Sequence, residues 1–253
     1  TIVIVNLIGK TTTTIIAELL KAAGKRVWVG GNIGHPLLCE ADGMLATDYA
    51  VLELSSFQLE GVSTFKPTAG TVLNVTQDHL DWHGSLDAYA GAKANVFGKA
   101  GVMVINRDDS RVVNMVPPPV PGKGRFAKPI QRQTLQFGLG APLRPGDFGL
   151  IEENGIAWLV RAMESDETVK RGKRGAVEEE DIHIQRLMPA DALRVRGRHN
   201  ASNALAALAL ATAAGCPLAP MLHGLREYEG EPHRVAYVAM VAGVEAYDDS
   251  KGT

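Results

Sequence analysis

The first half of the chain alternates short apolar runs with segments of helical spacing. The apolar runs predict β-strands at 1–5, 26–30, 49–54, 69–75 and 102–106. Helical periodicity predicts helices at 15–21, about 36–45 and 86–97. Strands that are continuously apolar and alternate with helices are typical of a parallel sheet that is covered on both faces. The pattern therefore predicts an α/β fold with a doubly wound, mostly parallel sheet.

The pattern changes after about residue 116, where a proline cluster at 117–121 interrupts the chain. Short strand candidates follow at 134–138, 148–152 and 157–160, with Asn154-Gly155 as a hairpin turn. These strands predict a small antiparallel appendage within about 117–194. Between Glu164 and Asp181, blocks of opposite charge without apolar spacing favour a solvated loop over a binding tail.

Helical periodicity returns near the end of the chain. It predicts helices at 200–214 and 219–227, and two apolar runs at 234–241 and 244–247 predict a hairpin. We expect about 1–116 and 195–253 to form one core. Because the chain begins inside a strand without Met and stops directly after another strand, we expect it to be a fragment of a longer protein.

Composition narrows the class of function. With 253 residues, 45% of them hydrophobic, the chain can bury a large globular core. Lys and Arg number 26 against 28 Asp and Glu, so no basic field for nucleic acid or membrane is present, and small-molecule chemistry is favoured. Cys39 and Cys216 lack metal-binding spacing and are predicted to be buried and reduced. With no signal peptide and no apolar run near the ~20 residues that span a bilayer, we expect a cytoplasmic protein.

The first candidate for chemistry is Gly9-Lys10-Thr11-Thr12, which follows the first strand and opens a helix. In such a loop backbone N–H groups and the lysine bind phosphates, while the Thr hydroxyl ligates Mg²⁺. The motif thus predicts a nucleotide triphosphate. However, Ile4 stands where the full pattern has Gly, so an edge strand followed by an ordinary N-capped helix stays an open alternative.

Further polar residues follow the predicted strands. Glu53 ends an apolar strand, where a carboxylate needs a neutralising cation such as Mg²⁺, although an N-cap or a structural ion pair would also explain it. His79 follows the next strand as a second possible ligand, and Lys93 alone is typical of a surface lysine. Ligands bind at the carboxyl ends of strands in such sheets, where Gly9, Asn32, Glu53 and His79 all fall.

Seven motifs, in order, resemble those of the Mur ligases. They are GKTT (9–12), GGNIG (30–34), ELSSFQLE (53–60), NVTQDHLD (74–81), RGRHNASN (196–203), PHR (232–234) and DDSK (248–251). The resemblance covers nearly the whole chain except about 117–190. Within the family, the blocks at 30–34 and 53–60 are most similar to those of the members that add D-glutamate. Seven ordered motifs are far more specific than any one of them.

This resemblance implies the central ATPase domain of a three-domain enzyme, with an N-terminal UDP-binding domain and a C-terminal domain absent from this chain. It implies an ADP-forming ligase that joins D-glutamate to UDP-N-acetylmuramoyl-L-alanine through an acyl phosphate in peptidoglycan precursor synthesis. We expect a monomer that does not enter the membrane. The alternatives are a Mur ligase for another amino acid, a folylpolyglutamate synthetase, or a nucleotide-binding module that has lost catalysis.

The resemblance also implies roles for individual residues. The residues implied for ATP are Gly9, Lys10, Thr11, Thr12, Asn200, Asn203, His233, Arg234 and Asp249. Those implied for the muramoyl substrate are Asn32, Ser55 and Gln58, with Lys251 at the reacting carboxylate. Thr11 and Glu53 would bind a first Mg²⁺, and His79 and Lys93 would serve a second one. Lys93 would do so as a carbamate, formed when its amine captures CO₂, and Lys10, His79, Lys93 and Lys251 would be catalytic.

One stretch departs from the family pattern. The family has Gly-Thr-Asn before Gly-Lys-Thr, whereas this chain has Asn6-Leu7-Ile8. Leu7 and the β-branched Ile8 put bulk where the backbone must approach phosphate. A defective loop, a misread stretch of sequence and a loop deformed in this fragment would each explain the departure.

Overall fold

The computed structural model describes residues 2–5, 9–34, 42–43, 46–122, 129–165, 182–231 and 236–250. Several predictions concern residues outside these ranges. They are the loop at 6–8, most of the helix at 36–45, of which residues 42 and 43 are helical, the charged loop at 166–181, Cys39, His233, Arg234 and Lys251.

Within the described ranges, six parallel strands form the main sheet, in the order β2-β3-β1-β4-β5-β6. Their bounds are β1 Ile2–Val5, β2 Val27–Gly31, β3 Tyr49–Glu53, β4 Ala69–Val72, β5 Val102–Asn106 and β6 Thr134–Phe137. The five predicted strands and their parallel arrangement are confirmed, although β4 ends three residues earlier than the apolar run suggested.

The helices that periodicity predicted in the described ranges are confirmed, whereas three short ones were missed. The bounds are α1 Gly9–Ala22, α2 Ser56–Glu60, α3 Leu80–His83, α4 Leu86–Ala94, α5 Ser110–Val113, α6 Arg198–Ala213 and α7 Leu218–Glu227. Single 3₁₀ turns occur at Asn95–Phe97 and Ala190–Ala192. Helices α2, α3 and α5 have only four or five residues, too few for a periodic pattern.

The sheet is buried on both faces, as a doubly wound fold requires. Helices α1 and α6 pack on one face, and α6 is buried all round, with every residue from Ala204 to Ala211 at 0% exposure. Its many alanines allow neighbouring elements to approach closely. The core on this side contains Ile15, Ile16, Leu19, Val51 and Val104. The core on the opposite side contains Leu52, Leu59, Val72, Tyr89 and Met103.

The strand predicted at 134–138 does not belong to the antiparallel appendage, so that prediction was wrong. It is β6, which pairs in parallel with β5 at the edge of the main sheet. Arg107, directly after β5, donates hydrogen bonds to the carbonyl oxygens of Phe148 at 2.7 Å and Gly138 at 3.3 Å. Asp147 accepts a hydrogen bond from the Gln136 N–H at 2.7 Å. The Arg107 bond to Gly138 thus joins the ends of β5 and β6, and the Asp147 bond joins β6 to the residue before Phe148.

The described part of the appendage is an antiparallel sheet of three strands. Its strands are β7 Phe148–Glu153, β8 Ile156–Glu164 and β9 Ile182–Pro189. The predicted hairpin around Asn154-Gly155 is confirmed, and β9 was missed. A separate hairpin of β10 Ala236–Val241 and β11 Val244–Asp248 confirms the last predicted element. No helix in the described ranges is long and apolar enough to cross a membrane.

Candidate functional site

The candidate site lies where the sheet topology reverses. Strand β1 is central, and the chain builds β3 and β2 on one side of it and β4, β5 and β6 on the other. In open α/β sheets the crevice beyond the carboxyl ends of such strands binds ligands. Helix α1 begins at Gly9 after β1, Glu53 ends β3, and the segment leading to His79 follows β4. Gly9, Glu53 and the segment that leads to His79 therefore lie at the same edge of the sheet.

The start of α1 offers a positive terminus. Gly9 is buried, and Lys10 is exposed. Thr11 is 8% exposed, and the Thr13 hydroxyl donates to the Gly9 carbonyl oxygen at 2.8 Å. Free N–H groups at a helix start, the helix dipole and an adjacent ammonium group together favour an anion. Because the loop at 6–8 lies outside the described residues, its fitness for phosphate stays a prediction.

Glu53 and Asn32 lie side by side at the ends of β3 and β2. Glu53 is only 1% exposed, and its carbonyl oxygen accepts a hydrogen bond from the Asn32 N–H at 2.7 Å. Glu53 is also in register with Ile4 of β1, directly before the loop that leads to α1. A carboxylate buried here would be stabilised by a cation beside the start of α1.

Ser55 and Gln58 form the N-terminal cap of α2. The Ser55 hydroxyl accepts from the Gln58 N–H at 3.3 Å, and the Ser55 N–H donates to Gln58 Oε1 at 2.9 Å. This reciprocal capping box fixes the direction in which α2 leaves β3. The cap engages the Gln58 oxygen and not its amide nitrogen, which is the group that a substrate could use.

His79 has an unusual backbone. Its φ of 52° lies in the left-handed region, which non-glycine residues rarely adopt. Contacts with Asp78 stabilise this backbone conformation. The Asp78 Oδ1 accepts a hydrogen bond from the His79 N–H at 2.8 Å, and its Oδ2 lies 3.4 Å from His79 Nε2. Backbone strain of this kind is concentrated at functional sites. The carboxylate therefore helps to fix the imidazole at the end of the β4 segment.

Lys93 is not the surface lysine that its helical position alone would favour. It is 2% exposed, and its Nζ donates to the Asn74 carbonyl oxygen at 3.3 Å and lies 4.6 Å from the Tyr89 ring centroid. Burial lowers the pKa of Lys93 to about 8, against the opposing charges of Asp78 and Asp109. Only an uncharged amine attacks CO₂, and burial raises the uncharged fraction of Lys93.

Sequence reasoning missed the aromatic residues around His79 and Lys93. The Phe57 ring lies 4.8 Å and the Tyr89 ring 6.2 Å from the His79 ring, and His83 lies 5.3 Å from Tyr89. Burial raises the pKa of Tyr89 to about 12. Tyr89 and Lys93 are four residues apart on one helix, a spacing that could have predicted their contact.

Asn200 and Asn203 share one face of α6, as predicted. The Asn203 Nδ2 donates to Asn200 Oδ1 at 3.3 Å, and the Asn200 Nδ2 donates to the Arg196 carbonyl oxygen at 2.7 Å. Helix α6 packs against α1, which links this pair to the helix that starts at Gly9. Asp249 is exposed and directly follows β11.

The residues proposed for Mg²⁺ have suitable chemistry. A threonine hydroxyl from Thr11, the carboxylate of Glu53 and a carbamate on Lys93 are hard oxygen donors, which Mg²⁺ prefers. The described ranges hold no group of three or more His, Cys, Asp or Glu that could bind a metal. The proposed ligands, which also include the His79 imidazole, contain only two residues of those types, Glu53 and His79, so they do not form such a group. The side chains therefore fit the ion.

A buried hydroxyl near this site gives a stability prediction. Thr71 of β4 is in register with Ile4, is 0% exposed, and its Oγ1 has no hydrogen-bond partner among the described residues. Because an unsatisfied buried hydroxyl is costly, Thr71→Val should raise the free energy of unfolding by about 1 kcal/mol, measured by urea denaturation.

Thr13→Val is the matched control for Thr71→Val. Thr13 is equally buried, but its hydroxyl donates to the Gly9 carbonyl oxygen. Its replacement should lower the free energy of unfolding by about 1 kcal/mol. If the two variants shift stability in the same direction, the lack of a partner at Thr71 is not what sets its energy.

Comparisons with known proteins agree with this geometry. A family model described as the Mur ligase middle domain matches residues 8–121. The chain is 60% identical over 250 residues to the UDP-N-acetylmuramoylalanine--D-glutamate ligase of Polaromonas sp. strain JS666, covering 97% of this chain and 42% of that protein. It is 53% identical over 255 residues to the ligase of the same name from Paraburkholderia phymatum, covering 97% of this chain and 49% of that protein. The chain thus spans about half the length of these relatives or less.

Solved structures share the fold. A UDP-N-acetylmuramoyl-L-alanyl-D-glutamate--2,6-diaminopimelate ligase matches with a TM-score of 0.65 at 23% identity, over 94% of this chain and 48% of that one. A UDP-N-acetylmuramoylalanyl-D-glutamyl-2,6-diaminopimelate--D-alanyl-D-alanyl ligase from Acinetobacter baumannii matches with a TM-score of 0.61 at 20% identity. The match covers 98% of this chain and 50% of that one. Residues 8–121 thus carry the Mur ligase middle domain, and 97% of the chain is similar to ligases of this family at up to 60% identity.

Proposed function

We propose that this chain is the central ATP-binding domain of a longer ligase that joins D-glutamate to UDP-N-acetylmuramoyl-L-alanine. The observation that carries the proposal is the buried amine of Lys93, which contacts the Asn74 carbonyl oxygen and the same Tyr89 ring that lies beside His79. Relatives at 53–60% identity bear the name of this ligase and are about twice as long. An N-terminal UDP-binding domain and a C-terminal domain would complete the protein.

In this proposal the start of α1 binds the ATP phosphates. Lys10 and the backbone N–H groups at Gly9 to Thr12 hold the β- and γ-phosphates. Thr11 and Glu53 would hold one Mg²⁺, and His79 with the Lys93 carbamate would hold a second one. These ions would supply positive charge beside the γ-phosphate. Asn200 and Asn203 contact adenine, Asp249 the ribose, and His233 and Arg234 the base and phosphates.

The chemistry is activation of a carboxylate. Asn32, Ser55 and Gln58 orient the muramoyl substrate so that its alanine carboxylate oxygen attacks the γ-phosphorus, which releases ADP and forms an acyl phosphate. Lys251 approaches the reacting carboxylate. The amine of D-glutamate then attacks the acyl carbon, and the tetrahedral intermediate expels phosphate to leave the amide. We further propose that the enzyme acts as a monomer in the cytoplasm.

Amino-acid-dependent ATP turnover by the full-length protein tests the proposal. With UDP-N-acetylmuramoyl-L-alanine present, ADP formation should depend on D-glutamate and not on L-alanine or diaminopimelate. Faster turnover with another amino acid would assign the chain to a different branch of the family, and turnover with a folate and L-glutamate would indicate a folylpolyglutamate synthetase.

The departure at Asn6-Leu7-Ile8 motivates a second candidate, a nucleotide-binding module without catalysis. In that case calorimetry would detect Mg-ATP binding to the full-length protein, but no amino acid would stimulate ADP formation. If neither binding nor turnover were found, the phosphate loop itself would be defective.

A further inference from the structure

Two aromatic rings at the candidate site are open to solvent. Trp82 in α3 is 66% exposed and Phe57 in α2 is 40% exposed. Their rings meet edge to face, with centroids 5.4 Å apart and planes at 84°. Large exposed aromatic side chains that touch one another form an apolar patch, and such patches commonly mark binding sites. We call Phe57, Trp82 and the adjoining Glu60 the aromatic ledge.

The ledge is held in place by its neighbours. The Trp82 indole N–H donates to Glu60 Oε2 at 3.0 Å, which fixes the plane of the indole ring. Phe57 stacks on His83 with centroids 5.5 Å apart, and His83 Nε2 lies 3.0 Å from the Ser56 hydroxyl oxygen. A surface ordered before its ligand arrives loses less entropy on binding.

The ledge borders the proposed reaction centre. Helices α2 and α3 follow β3 and β4, so both start at the carboxyl edge of the sheet where its topology reverses. The Phe57 ring lies 4.8 Å from His79. Whatever covers the ledge therefore adjoins the substrate whose carboxylate is activated.

The side chains of the aromatic ledge indicate which ligand it binds. Aromatic faces pack against the C–H groups of a pyranose ring, and a carboxylate such as Glu60 accepts hydrogen bonds from sugar hydroxyl or amide groups. The same carboxylate repels phosphate, which disfavours the diphosphate and ATP. Two aromatic side chains bury roughly 300–500 Å² at most, an area suited to one sugar ring. It is well below the roughly 1,200 Å² of a stable protein interface.

We propose that the aromatic ledge binds the hexosamine ring of the nucleotide-sugar substrate, with Trp82 as the main stacking residue. This inference rests on the proposed function, because it assumes a nucleotide-sugar substrate. It adds a sugar subsite to the residues that position the alanine carboxylate.

Kinetics of the full-length protein test the subsite. Trp82→Ala should raise KM for UDP-N-acetylmuramoyl-L-alanine about tenfold, leave KM for ATP and D-glutamate within twofold, and keep kcat close to that of the unmodified protein. Trp82→Phe keeps an aromatic face, so its KM for the nucleotide-sugar should lie between those of Trp82→Ala and the unmodified protein. Trp158→Phe, in β8 of the appendage, is the control and should change none of these values.

Tryptophan fluorescence tests binding without turnover. The nucleotide-sugar should change the emission of the unmodified protein and of Trp158→Phe, but not that of Trp82→Phe, and UDP alone should leave all three unchanged. An equal response to UDP alone, or one that survives in Trp82→Phe, would overturn the sugar subsite.

The outcomes separate the two proposals. D-glutamate-dependent turnover with an unchanged nucleotide-sugar KM in Trp82→Ala would overturn the ledge and leave the proposed function intact. A melting temperature lowered by Trp82→Ala, without a KM change, would assign the ledge to contact with another part of the protein. Absence of D-glutamate-dependent turnover in the unmodified protein would refute the proposed function, while the fluorescence arm would still decide whether Trp82 meets the sugar.

Discussion

Lys93→Ala should lower D-glutamate-dependent ATP turnover by the full-length protein about 100- to 1,000-fold, the scale of removing one preorganised group that stabilises transition-state charge. Alanine cannot form a carbamate, so the proposed anionic Mg²⁺ ligand is lost. A short-chain carboxylic acid such as acetate or propionate should restore part of the rate by placing a carboxylate in the space that the side chain leaves. The measurement is coupled ADP formation, with the acid titrated into the assay.

Lys99→Ala is the control for Lys93→Ala. Lys99 is an exposed lysine only six residues further along the chain, and its removal should change the rate less than twofold. A fully active Lys93→Ala protein would exclude the carbamate role. An inactive Lys93→Ala protein that no carboxylic acid rescues would indicate that Lys93 acts as an ammonium group or only through packing.

The same mechanism has a pH signature. With a pKa of about 8 instead of the usual 10.5, roughly a tenth of Lys93 is uncharged at pH 7, against roughly 0.03% of an ordinary lysine. Carbamate formation, followed by ¹³C NMR in labelled bicarbonate, should therefore rise with pH and level off above about 8. Between about 8 and 10.5 the unfolded chain binds more protons than the folded one, so this residue contributes stability that increases with pH across that window.

Much of the fold could be predicted because the central strands are continuously apolar. A run such as that of β5 is buried on both faces, and its alternation with helical segments determines a parallel sheet. The candidate site followed from the same reasoning, since carboxyl ends of parallel strands share one edge. Glu53 at the end of β3 and His79 beyond β4 could thus be joined before any distance was known.

The remainder depends on contacts between residues far apart in the sequence. The alternating sequence of β6, Thr-Leu-Gln-Phe, fits either sheet. Its backbone pairing with β5 and the hydrogen bond from Arg107 to the Gly138 carbonyl oxygen place it in the main sheet. Lys93 was equally ambiguous, because its burial depends on Asn74 from the segment after β4 and on the Tyr89 ring. The local sequence pattern therefore predicts helices and strands and the sheet edge at which they end. Contacts between distant residues determine which sheet a strand joins and whether a charged side chain is buried.

The second large effect is expected at Gly31, the last residue of β2. Gly31 has a φ of +114°, and a Cβ atom there would lie 2.2 Å from the carbonyl oxygen of Glu53. That oxygen also accepts the Asn32 N–H, so backbone movement to relieve the clash would displace both predicted site residues. Gly31→Ala should lower the free energy of unfolding by about 3 kcal/mol or more, through overpacking and an unfavourable φ together.

Gly24→Ala separates these two causes. Gly24 also has a positive φ, +75°, but a Cβ atom there would have no neighbour within 4 Å, so only the backbone cost of about 1–2 kcal/mol applies. Urea denaturation of both variants measures the difference, which reports the contact with Glu53. In the full-length protein, Gly31→Ala should also raise the Mg²⁺ concentration needed for half-maximal turnover, whereas Gly24→Ala should not. Equal losses of stability would show that the close approach of β2 to Glu53 does not constrain position 31, and the carboxylate would then owe its position to β3 and β1 alone.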